Sequence, residues 1–371
     1  MTDKITLQDS YQARARIGGK IRQTALVSSP SLSAHCGGEV SLKLESTQIT
    51  GSFKLRGATN AVLSLTDEQR AAGVVGVSTG NHGRGLAYAA AQAGVRCIIC
   101  MSELVPQNKI EGIKSHGAEV RIAGRSQDDA QVEVDRLVAD GMTMLPPFDH
   151  RDIIAGQSTV ALEMLEQAPD LDTVLVPLSG GGLISGVAMV MKAANPAIRV
   201  IGISMERGAA MYECLQAGKP VLVEEKATLA DSLGGGIGLD NAYTFEMTKA
   251  FVDDVVLVSE TEIAAAIRHA YFEERQVIEG SGSVGIAALL AGKIENLGRC
   301  VSLVSGQNID MALHKRIING EDVDVAAETK GAQMPDIKIL TETELRDLVP
   351  LDGDAVDCIE QGFTTLAGAG W

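Results

Sequence analysis

The sequence predicts an α/β chain of two lobes, each a twisted, mostly parallel sheet covered by helices. Two observations lead there. Strand-like and helix-like segments alternate from Val40 to Asn308, the order that parallel strands with crossover helices require. The 371 residues also suit two cores better than one.

Taken in order, "VSLKLES" (40–46) reads as a strand, and "GSFKLRGATNAVLSL" then turns helical, with Leu55, Ala58, Val62 and Leu65 at helical spacing. "GVVGVS" is a strand and Gly83–Gln92 a helix. "RCIICMS" is a strand, followed by the helix "PQNKIEGIKSHG", with proline at its start and glycine at its end. "AEVRIAG" and "SQDDAQVEVDRLVADG" give a further strand and helix. The pattern resumes with the helix "GQSTVALEMLEQ", the strand "LDTVLVPLS", a glycine-rich loop and helix from Gly180, and the strand "IRVIGISME". The amphipathic helix "TEIAAAIRHAYFEE", the helix "GSVGIAALLAG" and the strand "RCVSLVSGQN" close the body. The expected division is a large lobe of 1–50 and 147–320, a small mobile lobe of 51–146, a polar linker at 321–333 and a tail of 334–371.

Apolar residues make up 45% and charged residues 22%, and the formal charge is −16. That field opposes a phosphate backbone, so nucleic acid is excluded as a partner, although local backbone donors can still hold a small anion. No apolar run reaches the length of a membrane span and the first residues are polar, which predicts a cytoplasmic protein without a membrane partner. Of six cysteines, only Cys97 and Cys100 are close, and strand alternation sends them to opposite faces as core thiols.

Four polar or glycine-rich turns follow predicted strands, where parallel α/β proteins bind ligands. The first holds Lys54 in "GSFKLRG", either a surface lysine at a helix start or an amine for covalent chemistry. The second, "STGNHG", offers Ser78, Thr79, Gly80, Asn81 and His82 at a helix start, suited to a carboxylate or a ring oxygen, or to a simple cap. The third, "SGGGLISG", sets three consecutive glycines between a strand and a helix, which lets backbone N–H groups converge on a phosphate or makes a tight turn with no ligand. It lacks the lysine of a Walker loop, and Glu206 leaves a dinucleotide site as its runner-up. The fourth, "SGQN", sets Ser305 where a hydroxyl meets a ring nitrogen or caps a turn. Together they ask for a ligand with one phosphate, a ring nitrogen and a carbon open to an amine. Pyridoxal 5'-phosphate fits, with Lys54 as the attaching amine. Gly51 and Gly57 then read as clearance for its ring.

These four motifs, in this order, resemble the threonine dehydratase and serine racemase group of pyridoxal phosphate enzymes, of the tryptophan synthase β fold (fold type II). The resemblance covers residues 5–320. It implies Lys54 as the Schiff-base lysine and catalytic base, Phe53 beside the ring, Asn81 on the ring's 3-oxygen and Glu279 near the ring. It implies Ser179, Gly180, Gly181, Gly182 and Leu183 around the phosphate and Ser305 at the pyridine nitrogen. The loop Ser78, Thr79, Gly80, Asn81 and His82 would take the carboxylate of a small amino-acid substrate. A neutral hydroxyl at the ring nitrogen suits β-elimination, so the implied activity is a dehydratase or ammonia-lyase. Thr79 is the second catalytic candidate the resemblance implies: it stands where racemases carry a serine on the opposite face of the cofactor, and it keeps the hydroxyl but adds a methyl group, which weakens racemisation without excluding it. Tyr212 replaces an acid of the family's metal site, so no metal is expected there.

The texture of "GRSQDDAQVEVDRLV" and "ERGAAMYECLQAGKPVLVEE" is similar to the hydroxyectoine utilisation dehydratases, implying a hydroxylated diamino acid as substrate. Serine or threonine dehydration and amino-acid racemisation are the alternatives, and a cofactor-binding regulatory protein is the non-enzyme rival. From Met334 the tail resembles the start of an ornithine cyclodeaminase-like protein. That implies a truncated fusion and a functional link to such an enzyme. Family members are dimers or tetramers, so a homodimer or homotetramer is expected.

Overall fold

The computed structural model describes residues 4–78, 80–105, 107–323 and 325. The tail at 334–371 and most of the linker at 321–333 therefore lie outside the described residues. Ten strands are present among the described residues: β1 (Leu26–Ser28), β2 (Glu39–Leu44), β3 (Val74–Val77), β4 (Cys97–Met101), β5 (Glu119–Ile122), β6 (Thr143–Met144), β7 (Thr173–Pro177), β8 (Arg199–Met205), β9 (Asp254–Val258) and β10 (Arg299–Val304). They make a six-stranded sheet in the order β1-β2-β10-β7-β8-β9 and a four-stranded sheet in the order β5-β4-β3-β6. Only β1 runs antiparallel, against β2. The other pairings are parallel.

Alternation along the strands explains the cores. In β7, Val174 and Val176 face one apolar cluster and Leu175 the other, so the strand is buried on both faces and reads as an unbroken apolar run. In β4, Cys97, Ile99 and Met101 join the cluster under the helix Asn81–Gln92, whereas Ile98 and Cys100 meet the helix Gln127–Ala139. The two thiols thus face opposite ways, as strand geometry demands. None of the described helices is long and apolar enough to cross a membrane.

Several elements depart from the sequence reading. The helix Arg151–Gln167 starts five residues before the expected Gly156, because the His150 ring accepts the Asp152 N–H and caps a polar first turn. The helix Asn81–Gln92 likewise begins before Gly83. The helices Leu7–Ile17, Pro30–Cys36 and Thr244–Phe251 and the strands β1, β6 and β9 went unread. β1 and β6 are three and two residues long, too short for a periodic signal.

Candidate active site

The topology itself gathers the four turns. β2, β10 and β7 are neighbours in one sheet, and their carboxyl ends lead into the Lys54 turn, the Ser305 turn and the glycine loop. The Asn81 turn leaves the carboxyl end of β3 in the other sheet. Phe53 N–H donates to the Ser305 carbonyl (3.0 Å) and Gln307 N–H to the Gly51 carbonyl (2.9 Å), which stitches the lysine turn to the serine turn. The resulting cleft encloses about 480 Å³, open mouth included, lined in part by Phe53, Lys54, Asn81, Phe148, Glu279 and Ser305.

Lys54 opens the helix Lys54–Leu63. Its Nζ donates to the Pro147 carbonyl at 2.8 Å and sits 5.2 Å from the centre of the Phe53 ring. Burial pushes its pKa down to about 8, against an opposing pull from the Glu279 charge. A lysine so placed keeps a usable fraction of free amine near neutral pH.

The helix start is anchored from below by buried ions. Arg56 donates through Nε and Nη2 to both oxygens of Glu45 (2.7 Å each) and through Nη1 and Nη2 to Glu163. Lys43 Nζ donates to Glu163 (2.7 Å), the Thr24 carbonyl and the Gln167 side chain. Two cations face two carboxylates with every group hydrogen-bonded, the condition under which buried charge is tolerated. Gly57 serves this packing. A Cβ there would lie 2.5 Å from the Gln157 side chain and 2.8 Å from the Ile153 carbonyl. This corrects the expectation that Gly57 clears space for a cofactor ring. Gly51 is corrected likewise: its φ is +77°, and the space left by its missing Cβ is filled by the Asn308 side chain.

The glycine loop joins β7 to the helix Gly182–Ala194. A Cβ on Gly180 would fall 2.4 Å from the Phe148 ring, one on Gly181 2.8 Å from Met211, and one on Gly182 2.8 Å from the Phe148 carbonyl. Gly181 also has a φ of +88°. Sterics therefore require all three glycines, and no side chain caps the helix. Its first N–H groups remain open to an anion.

Glu279, Asn81 and Asn308 form a polar cluster beside the amine. Asn81 Nδ2 donates to Glu279 Oε1 (2.7 Å), and the Asn308 backbone N–H donates to Glu279 Oε2 (3.1 Å). Burial and the nearby Asp231 charge push Glu279 up to about pKa 7, opposed by these hydrogen bonds. Ser305 Oγ has one long contact, 3.4 Å to the Ser281 carbonyl, and Ser281 Oγ is buried with no partner among the described residues. An uncapped glycine cradle, an unsatisfied buried hydroxyl, an amide donor and an amine of lowered pKa together fit a phosphorylated aldehyde with a heteroaromatic ring. Pyridoxal phosphate is such a group, and Lys54, Asn81, Ser305 and Ser179–Leu183 are the residues that would hold it.

The other expected site residues fall differently. Ser78 Oγ accepts the Gly83 N–H (3.0 Å) and Gly80 N–H (3.4 Å), a helix-capping arrangement. His82 is buried, and its Nε2–H donates to the Leu145 carbonyl at 2.8 Å. Burial, reinforced by Lys54, lowers its pKa to about 4, so it is neutral. Ser78, Gly80 and His82 are not among the cleft-lining residues given by the structure. Thr79 lies outside the described residues. Sequence reasoning passed over Asn308, although it stands in "SGQN", and Ser281. Phe148, which no motif marks, backs the phosphate loop, its ring 2.4 Å from the Cβ position of Gly180. Asp149, from the same turn, accepts the Tyr243 and Thr244 N–H groups (2.9 Å each) and fixes the start of the helix Thr244–Phe251.

Residues 17–306 match the model of a family described as pyridoxal-phosphate dependent enzyme. A provisionally named threonine dehydratase of Sinorhizobium fredii is 59% identical over 315 residues, 84% of this chain and 95% of that protein. The L-threonine ammonia-lyase of Thermotoga maritima is 41% identical over 315 residues, 84% of this chain and 78% of that protein. A solved serine racemase from maize superposes with a TM-score of 0.80 at 33% identity, covering 85% of this chain and 97% of its own.

Proposed function

We propose, because this chain belongs to the family of pyridoxal-phosphate dependent enzymes, that it removes the β-hydroxyl and the amine of threonine or serine, releasing ammonia and a 2-oxo acid. Its cofactor is pyridoxal phosphate and its activity class that of a lyase. The substrate assignment rests on the similarity to proteins named for threonine. The observation that carries the reading is the lysine amine held at a depressed pKa between a glycine cradle and a buried neutral hydroxyl.

When bound, the cofactor supplies an electron sink conjugated to the substrate's α-carbon. Lys54 Nζ takes the α-proton, since its free-amine fraction near neutral pH is large for a lysine. The Pro147 carbonyl, 2.8 Å away, accepts a hydrogen bond from the protonated amine and keeps it in place. Ser305, a hydroxyl without charge, would offer the ring nitrogen a hydrogen bond without favouring its protonation, which would suit rapid loss of a β-leaving group. Water leaves as the hydroxyl departs and re-enters when the imine hydrolyses, so the net loss is ammonia.

The hydroxylated diamino acid suggested by the sequence texture is the narrower substrate, and racemisation is the alternative outcome. Both enter one assay. Purified protein with pyridoxal phosphate is given L-threonine, L-serine or the diamino acid, and ammonia, 2-oxo acid and the configuration of remaining substrate are followed. Ammonia with a 2-oxo acid from threonine or serine is expected. Inverted amino acid without ammonia would overturn the proposal in favour of a racemase.

A further inference from the structure

The Asn81 amide lies between two neighbours, and the polarity of that contact chain is dictated by a backbone carbonyl. Asn308 Nδ2 donates to the Thr50 carbonyl at 3.0 Å and to Asn81 Oδ1 at 2.6 Å. A carbonyl only accepts, so the Asn308 atom facing Thr50 must be its nitrogen. Both Nδ2 hydrogens of Asn308 are then used. The Asn81 atom facing Asn308 must be an acceptor, its Oδ1, and Asn81 Nδ2 is turned the other way, onto Glu279 Oε1 at 2.7 Å. Glu279 is held for this contact by the Asn308 backbone N–H at 3.1 Å. Gly51 makes the arrangement possible, because a Cβ there would stand 2.6 Å from Asn308 Oδ1.

We propose that Asn308 is a positioning residue that fixes the Asn81 amide with its nitrogen, not its oxygen, toward the cleft. One Nδ2 hydrogen of Asn81 bonds Glu279, and the second is available to an acceptor on the cofactor ring, since Asn81 lines the cleft. The inference rests on the cofactor reading above but not on which amino acid is consumed. The loop after β10 thereby sets the hydrogen-bond polarity of a residue carried by the other sheet.

Asn308→Asp tests it with little change of shape. A carboxylate cannot donate to the Thr50 carbonyl, and it accepts from Asn81, which turns Asn81 round and offers an oxygen to the cleft. Full-length protein is stripped and reloaded with pyridoxal phosphate. Cofactor Kd, the visible absorption band of the bound cofactor and the melting temperature are measured for wild type, Asn308→Asp, Asn81→Ala and the double variant. Asn308→Asp is expected to weaken cofactor binding about ten- to a hundredfold, as loss of one hydrogen bond to a charged group does, and to shift the band as Asn81→Ala does. The double variant should be no worse than Asn81→Ala alone. A wild-type Kd and band in Asn308→Asp would overturn the proposal. So would losses that add in the double variant, or a lowered melting temperature with Kd and band unchanged. If Asn308→Asp does not fold, Asn308→Ala takes its place in the same cycle, with the same non-additivity expected. Wild-type protein that binds cofactor but releases no ammonia would sink the proposed reaction and leave this test intact.

Discussion

The depressed pKa of Lys54 makes a measurable claim about reactivity. At pH 7 an amine of pKa about 8 is roughly one part in eleven unprotonated, whereas one at the ordinary 10.5 is about one part in 3,000. Burial in the cleft therefore supplies about a 300-fold gain in free amine. Cofactor-free protein is pulsed with pyridoxal phosphate and borohydride across a pH series, and attachment to the Lys54 peptide is followed by mass. The rate should reach half its maximum near pH 8. Glu279→Gln should move that midpoint downward, because the Glu279 charge opposes the shift. A midpoint near 10.5, or an upward move in Glu279→Gln, would refute the argument that desolvation activates this amine. Stability carries the same signature with a definite sign. The folded pKa lies below the unfolded one, so the folded state binds fewer protons between about pH 8 and 10.5, and cofactor-free wild type should gain stability across that window as pH rises. Lys54→Met should lack that gain in matched denaturant titrations.

The remaining predictions concern the scaffold. Arg56→Met leaves Glu45 and Glu163 without their shared partner and should lower stability by about 3–5 kcal/mol, read by denaturant unfolding. Gly180→Ala pushes a methyl group into the Phe148 ring and should cost about 1–3 kcal/mol as well as weaken cofactor binding. Adding Phe148→Leu should restore part of both, measured by melting temperature and cofactor titration.

Much of this site was legible because its parts are punctuation. Glycine and polar residues that follow apolar runs mark strand ends whatever the distant chain does, so all four turns could be placed before any contact was known. What escaped was partnership. Asn81 and Glu279 meet across 198 positions, and nothing local announces it. Lys43 in "SLKLES" has the pattern of a solvent-facing strand residue, yet it is fully buried, because Glu163 arrives from a helix 120 positions on. Gly57 was misread for the same reason, its neighbour being Gln157. β9 shows the opposite failure, a clear apolar run overlooked beside stronger helices.

If Lys54 performs the chemistry while the rest of the cleft holds the cofactor, one substitution separates the two functions. Lys54→Ala protein loaded with pyridoxal phosphate and given L-threonine tests both halves at once. Cofactor should still bind through the glycine cradle, and ammonia release should fall by about 10²–10⁴, the contribution of a positioned acid–base group, or further. Ammonia release within tenfold of wild type would contradict a chemical role for Lys54.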